Sequence, residues 1–317
     1  MTKAPAAGDR LATLAAWLVG GGWPVAAALA LLGVLPLLAA LLPGAILLLP
    51  LLLVGNGAVV SLLALESEGG RGVRWLLWAV LLLAVPAVAL GPALLVPVVF
   101  AWTPALIAGY ILRSTRSLPL ALLLLTLLAV VVVLLAETVG LPGGDAQSRA
   151  SVTQMLRGLD PQIAGEVLDV VWALASGLLA LALLSTWMGG LLAGRSLQAR
   201  LRRPGALAAE FRGLRCGRAY GLVAVVAVAV ALGVGLGAGG LAVELAMVSV
   251  VPLLLQGLAV MHRLALRGGG WRRAPWVVYP LLVLATPQVA PPLALVGLMD
   301  NWLDFGNGSP PVGADPR

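Results

Sequence analysis

One cysteine, one histidine, three phenylalanines and three tyrosines occur in 317 residues, and only 10% of the chain is charged. Each scarcity removes a class of explanation. Cys216 alone forms no internal disulfide and no multi-cysteine metal site, and His262 alone builds no histidine-rich one. HExxH, GxSxG, Walker A and strand-borne GxGxxG motifs are all missing, so no signature directs a reaction. A Ser–His dyad would have to use His262, which sits beside Arg263 at the end of an apolar run. The expectation is a chain that is not an enzyme, with no catalytic residue, no metal and no cofactor implied.

Charge is scarce because apolar residues replace it. Soluble domains are about 45–50% apolar and about 25% charged, whereas this chain is 61% hydrophobic with a mean hydropathy of +1.05. In water it would expose large apolar patches and aggregate. Runs such as "LPLALLLLTLLAVVVVLLAE" (118–137) are apolar on every side. Barrel strands would alternate, so a lipid-spanning run of this kind is a helix that satisfies its own backbone. The expected fold is all-α, a polytopic transmembrane helical bundle forming a single integral membrane domain over 1–317. The net charge of +7 sits in short loops between apolar runs, so nucleic acid is not an expected partner. The lipid bilayer is.

A span needs roughly 20 apolar residues. Breaks at Gly, Pro and charge place spans near 24–41, 45–65, two within 75–112 split at Gly91-Pro92, 118–138, 164–193, 219–236 and 240–262. A last apolar stretch, 275–299, is interrupted by "TPQVAPP". It either crosses once, which is preferred and leaves the C-terminus outside, or re-enters. The total is about eight to nine spans. Residues 1–23 read as a retained interfacial lead-in helix carrying Trp17 rather than a cleaved signal. Residues 141–163 form an outer loop in which Val152, Met155, Leu156 and Leu159 make one helical stripe, an interfacial helix or a lid. Residues 300–317 form the tail.

Loops rich in Lys and Arg stay in the cytoplasm. With the N-terminus inside, the loops holding Arg71 and Arg74, Arg113 and Arg116, and Arg263, Arg267, Arg272 and Arg273 fall on one side. So does 194–218, with Arg195, Arg200, Arg202, Arg203, Arg212, Arg215 and Arg218 around a single acid, Glu210. Every loop agrees with that one topology. Pro204-Gly205 is expected to stop one short helix, and Leu207, Phe211 and Leu214 then recur at helical spacing opposite arginines. The pattern describes an amphipathic helix on the cytoplasmic surface, holding anionic lipid headgroups or docking a membrane or cytoplasmic protein partner. Trp23, Trp75, Trp78, Trp187, Trp271, Trp276 and Trp302 lie near span ends as an aromatic belt would, with Trp102 and Trp172 deeper.

Polar residues inside spans tend to be functional. Glu244, in "LAVELAMVSVV", shares a helical face with Val248, Val251, Leu255 and His262, while Ser249 and Gln256 form a second stripe. Glu137, Glu166 and Asp169 lie at outer span ends, and with Glu244 they would line an acidic vestibule for an amine or metal cation. The plain alternative is that acids mark span ends near water. Asn56 and Gln256 are embedded amides, either pocket residues or hydrogen-bond glue between helices. The candidate substrate-binding set is Glu244, Ser249, Asn56 and Gln256.

"RRPGALAAEFRGLRCGRA", "LLLQGLAVMHRL" and "GLMDNWLDFGNG" together resemble the YybS-like family of uncharacterised bacterial multi-pass membrane proteins, a domain of unknown function. The residues that carry the likeness are Pro204, Gly205, Glu210, Phe211 and Arg212, then Asp300, Trp302, Asp304 and Phe305. The family is distantly similar to substrate-binding subunits of energy-coupling-factor vitamin transporters. The resemblance implies a bacterial inner-membrane protein that binds or transports a small molecule. The alternative is a non-transporting scaffold that recruits a cytoplasmic partner through 195–218.

Overall fold

The computed structural model describes residues 9–41, 48–66, 71–96, 98–139, 161–235 and 240–305. Among them every regular element is helical. The lid or interfacial stripe expected at 141–163 falls almost wholly outside the described residues, as does the tail from 306 onward. The chain divides into two compact units, one of residues 1–125 and 182–211, the other of 126–181 and 212–317.

The first unit holds α1 (Arg10–Gly20), α2 (Trp23–Leu41), α3 (Leu49–Glu66), α4 (Arg71–Leu90) and α5 (Thr103–Thr115). It also takes the first residues of α6 (Leu118–Val139), most of α8 (Ala175–Arg202) and most of α9 (Ala206–Arg212). Asp9 caps α1, accepting from the Ala12 N–H at 3.1 Å. That bond, with help from the Arg200 guanidinium, holds the Asp9 carboxyl below its ordinary range. Gly21 and Gly22, at φ +76° and +113°, then bend the chain by 108° into α2. Such a backbone suits glycine, and the Trp75 indole fills the place where a Gly21 side chain would be.

Small residues let the helices of this unit touch. An added Cβ at Gly190 of α8 would stand 3.0 Å from Gly57 Cα of α3. Gly109 of α5 lies equally tight against Ala64 and Ser61. Lipid offers no hydrophobic drive for helix association, so close backbone approach of this kind supplies the packing. Leu29, Leu62, Leu83 and Trp102 are buried in the resulting core.

The second unit holds the rest of α6 and α8, α7 (Pro161–Ala173), α10 (Arg218–Val234), α11 (Leu241–Leu266), α12 (Ala274–Leu284) and α13 (Thr286–Leu303). α11 is its centre: Glu244, Val248, Ser249, Gln256 and Ala259 are all buried. It meets α13 backbone to backbone, because Gly257 faces the Leu293 carbonyl and Gly297 faces the Leu253 carbonyl. Ala224, Leu253 and Ala294 join α10, α11 and α13 in a small apolar cluster.

Among the described residues, six helices are long and apolar enough to cross a bilayer, or seven if the bent α1–α2 pair counts as one span. The described residues therefore do not confirm the expected eight to nine, and three features of geometry account for the difference. The expected first span, 24–41, counts only when α2 is taken together with α1 across the sharp bend that joins them. α10 has 17 residues and is too short to count. The final apolar stretch breaks at Ala285 into α12 and α13, which carry Pro280, Pro291 and Pro292; proline removes a helical hydrogen bond and clashes with the preceding turn. The split expected at Gly91-Pro92 is present, with 3-10 and π turns between α4 and α5. Trp187 is also placed differently from the belt expected of it. It is 4% exposed and donates its indole N–H to the Phe100 carbonyl.

Candidate functional site

Two polar clusters lie within the second unit, and both depend on α11. The first is acidic. Glu244, one turn into α11, is 1% exposed, and its Oε2 has no hydrogen-bond partner. Gly177, near the start of α8, makes room for it: a Cβ there would stand 2.9 Å from both Cβ and Cγ of Glu244. The preceding residue, Ser176, is 5% exposed and donates its hydroxyl to Glu137 Oε1 at 2.8 Å. Glu137, Ser176 and the Gly177 backbone surround the Glu244 carboxyl. Glu137 itself is exposed, so the cluster leads inward from the surface along three side chains. Burying an ionised carboxylate with an unsatisfied oxygen is costly. A proton or a cation at that oxygen removes the cost. Asp169, the other expected member that can be placed, is exposed on α7 and pairs with nothing among the described residues. The side chain of Glu166 lies outside them.

The second cluster is an ionic lock. Asp300, on the last turn of α13, is 1% exposed. Its Oδ2 accepts from Arg263 at 2.6 Å and from Gln256 Nε2 at 3.3 Å, and its Oδ1 accepts the Phe305 N–H at 3.1 Å. Arg263 also donates to the Arg212 carbonyl at 2.7 Å. Gln256 takes the Cys216 N–H on its Oε1 at 2.9 Å and gives a second bond to Asn301 Oδ1 at 3.1 Å. Asn301 accepts the Gly217 N–H at 3.1 Å, so one amide serves the N-cap donor of α10 and the other the residue before it. Arg215 pairs with Asp304 and lies 3.8 Å from Asp300. Arg218 Nε and Arg267 donate to the carbonyls of Asn301 and Phe305. Cations at the C-terminal end of α13 are also favoured by its dipole. Cys216 lies against this lock, and burial pushes its thiol from 9.0 up to about 12.

Of the four expected pocket residues, Glu244, Ser249 and Gln256 lie on α11 of the second unit and Asn56 on α3 of the first. Ser249 bonds back to the Ala246 carbonyl at 2.9 Å, inside its own helix. Gln256 is fully committed to the lock. Asn56 lies in the first unit, where it donates to the Leu32 carbonyl at 2.6 Å and accepts from the Trp102 indole at 2.8 Å. Leu32 is four residues before Pro36, so its carbonyl has lost its helical donor; Asn56 replaces it. Glu244 alone keeps an unsatisfied group.

The arginines of 194–218 are also placed differently from a free basic face. Arg195, Arg200 and Arg202 belong to α8, whose 28 residues make it about 42 Å long, beyond the roughly 30 Å hydrocarbon core. They pair with Glu210, Asp9 and Glu66 in turn. Pro204-Gly205, with Gly205 at φ +86°, ends this long helix rather than a short one. α9 has only seven residues, Phe211 is half-buried and Leu214 lies beyond the helix, wholly buried. Arg203 is exposed. Trp302 packs over Gly221, and His262 shares a 2.8 Å hydrogen bond with the Tyr279 hydroxyl.

Compared with family models, curated proteins and solved structures, the chain matches none. What stands is a multi-pass helical membrane protein; membership of the YybS-like family is not shown. Sequence reading missed Ser176 and Gly177 at the acid site and Arg263 as the partner of Asp300. One signal was available for the last: an acid at the end of an apolar run needs a cation within reach.

Proposed function

We propose that this chain is a transporter-like protein of a bacterial inner membrane, binding or moving a small molecule, with Glu244 as the residue that takes up a proton or a cationic group. The observation that carries this is the buried carboxyl oxygen of Glu244 left without a partner, beside Glu137 and Ser176. Intramembrane acids of this kind mark ion and substrate paths in transporters. The resemblance to the YybS-like family, and through it to vitamin-binding subunits, points the same way. The excess of arginine in the loops at 71–74, 113–116, 194–218 and 263–273 supports an N-terminus in the cytoplasm. No chemical reaction is assigned.

The scaffold reading has less beneath it. A recruiting surface needs charge to offer, and Arg195, Arg200, Arg202 and Arg215 already face acids of the same chain.

The test is native mass spectrometry of protein gently extracted from its own membrane, wild type against Glu244→Gln. A small molecule bound to the wild type and missing from a folded Glu244→Gln variant is the expected result. The same adduct on both proteins, or none on either, overturns the assignment.

A further inference from the structure

The loop between α11 and α12 contains an open depression of about 460 Å³, lined by Gly269, Gly270, Arg272, Arg273 and Trp276. It falls within the size range of small-molecule sites. Gly268 and Gly269 turn the chain at φ +82° and +63°, and nothing stands within 4 Å of where their side chains or that of Gly270 would be. The depression is therefore bare backbone on one side and two guanidiniums on the other. Both arginines are exposed, and neither makes an ion pair or side-chain hydrogen bond among the described residues. They differ in this from Arg195, Arg200, Arg202, Arg215 and Arg263, each held by an acid.

An apolar surface continues from this depression. Trp276 is 83% exposed, and Val277, Leu281, Val283 and Leu284 follow it on α12, all exposed. Guanidinium groups bind phosphate oxygens through paired, charge-assisted hydrogen bonds. Tryptophan settles where headgroups meet acyl chains. A ligand that fits both parts carries a phosphate at one end and hydrocarbon at the other.

We propose that Arg272, Arg273 and Trp276 form a binding site for the phosphodiester headgroup of an anionic phospholipid, whose acyl chains lie along α12. Two guanidiniums that make no ion pair among the described residues favour a net-negative headgroup over a zwitterionic one. The lipid contact of this protein's basic loops is thus concentrated at 268–276 rather than at 194–218. This inference is independent of the role assigned to Glu244.

The experiment is native mass spectrometry in detergent with added phosphatidylglycerol or phosphatidylcholine. Phosphatidylglycerol should be retained preferentially, and Arg272→Gln/Arg273→Gln should hold it about thirtyfold less tightly, the equivalent of about 1 kcal/mol for each basic residue. Arg200→Gln/Arg202→Gln, which removes guanidiniums already paired to Asp9 and Glu66, should leave retention unchanged. Arg272→Lys/Arg273→Lys keeps the charge but loses the paired geometry, so it should bind more tightly than the Gln variant and more weakly than the wild type, which separates lost charge from lost fold. Equal retention of the two lipids, equal loss in both double Gln variants, or no loss at 272–273 overturns the proposal. Glycerol phosphate competing as well as the whole lipid would reassign the site to free phosphate.

Discussion

Replacing Asp300 by Asn keeps the shape of the lock and removes its only deeply buried negative charge. The Asp300 side chain is 0% exposed and that of Arg263 is 14% exposed, so solvent screens the pair poorly. Arg263 Nε already has no acceptor, so the cation is left with neutral acceptors only, the Arg212 carbonyl and the new amide oxygen. Breaking a buried pair from one side costs about 3–5 kcal/mol, because the surviving charge stays buried. By contrast, Arg215 and Asp304 are each 38% exposed, and a pair of that kind is worth about 0–1 kcal/mol. Cys216 supplies the assay, as the only cysteine, buried and bonded through its N–H to Gln256. Labelling of its thiol in mild detergent reports opening of the lock. Asp300→Asn should raise the labelling-competent population between about a hundredfold and several thousandfold, and Asp304→Asn by less than about tenfold. Asp300→Asn/Arg263→Met, with both charges gone, should recover most of the loss. The reasoning is refuted if Asp300→Asn behaves like Asp304→Asn, or if the double variant is as unstable as the two single losses added together.

Close helix approach gives a second prediction. Gly257→Ala places a methyl group on the Leu293 carbonyl and should destabilise by at least about 1–3 kcal/mol, whereas Gly233→Ala in α10 meets nothing within 4 Å and should stabilise by up to about 1 kcal/mol; thermal unfolding of the two variants checks the contrast. The Cys216 thiol gives a third. Its folded value of about 12 lies above its ordinary 9.0, so the unfolded chain loses this proton first. The stability it contributes is complete below pH 9 and falls by about 1.4 kcal/mol per pH unit from there toward pH 12. Unfolding midpoints across that range should show the slope, and Cys216→Ala should flatten it.

Much of the fold was legible from composition alone, since a chain that is 61% hydrophobic has few ways to satisfy its backbone in lipid except as helices. The breaks at Gly20–Gly22, Gly91-Pro92 and Pro204-Gly205 were legible too, because each needs a backbone that helices do not supply. The number of spans was not. A length rule counts apolar residues and does not see a bend of 108° or a proline-broken stretch such as 274–303. Close helix contacts were not legible either: nothing in the spacing of small residues singles out Gly257 and Gly297, which sit on backbone carbonyls, from Gly233, which meets nothing.

The polar residues divide along the same line. Their identities, and the cost of holding them in an apolar run, follow from the sequence. Which of them is satisfied depends on partners far along the chain. Asn56 is used by a carbonyl that Pro36 orphans, 24 residues away, and Gln256 by groups 40 to 45 residues away. Glu244 keeps an oxygen without a partner beside Ser176 and Glu137, which bond each other. The arginines show it most plainly. Their position at one end of long helices is written in the chain, through the expense of placing charge in hydrocarbon. Whether a given guanidinium meets an acid of the same protein or stands open to a headgroup was decided only when the helices packed, since ion pairs form between atoms that the fold, not the chain order, makes neighbours.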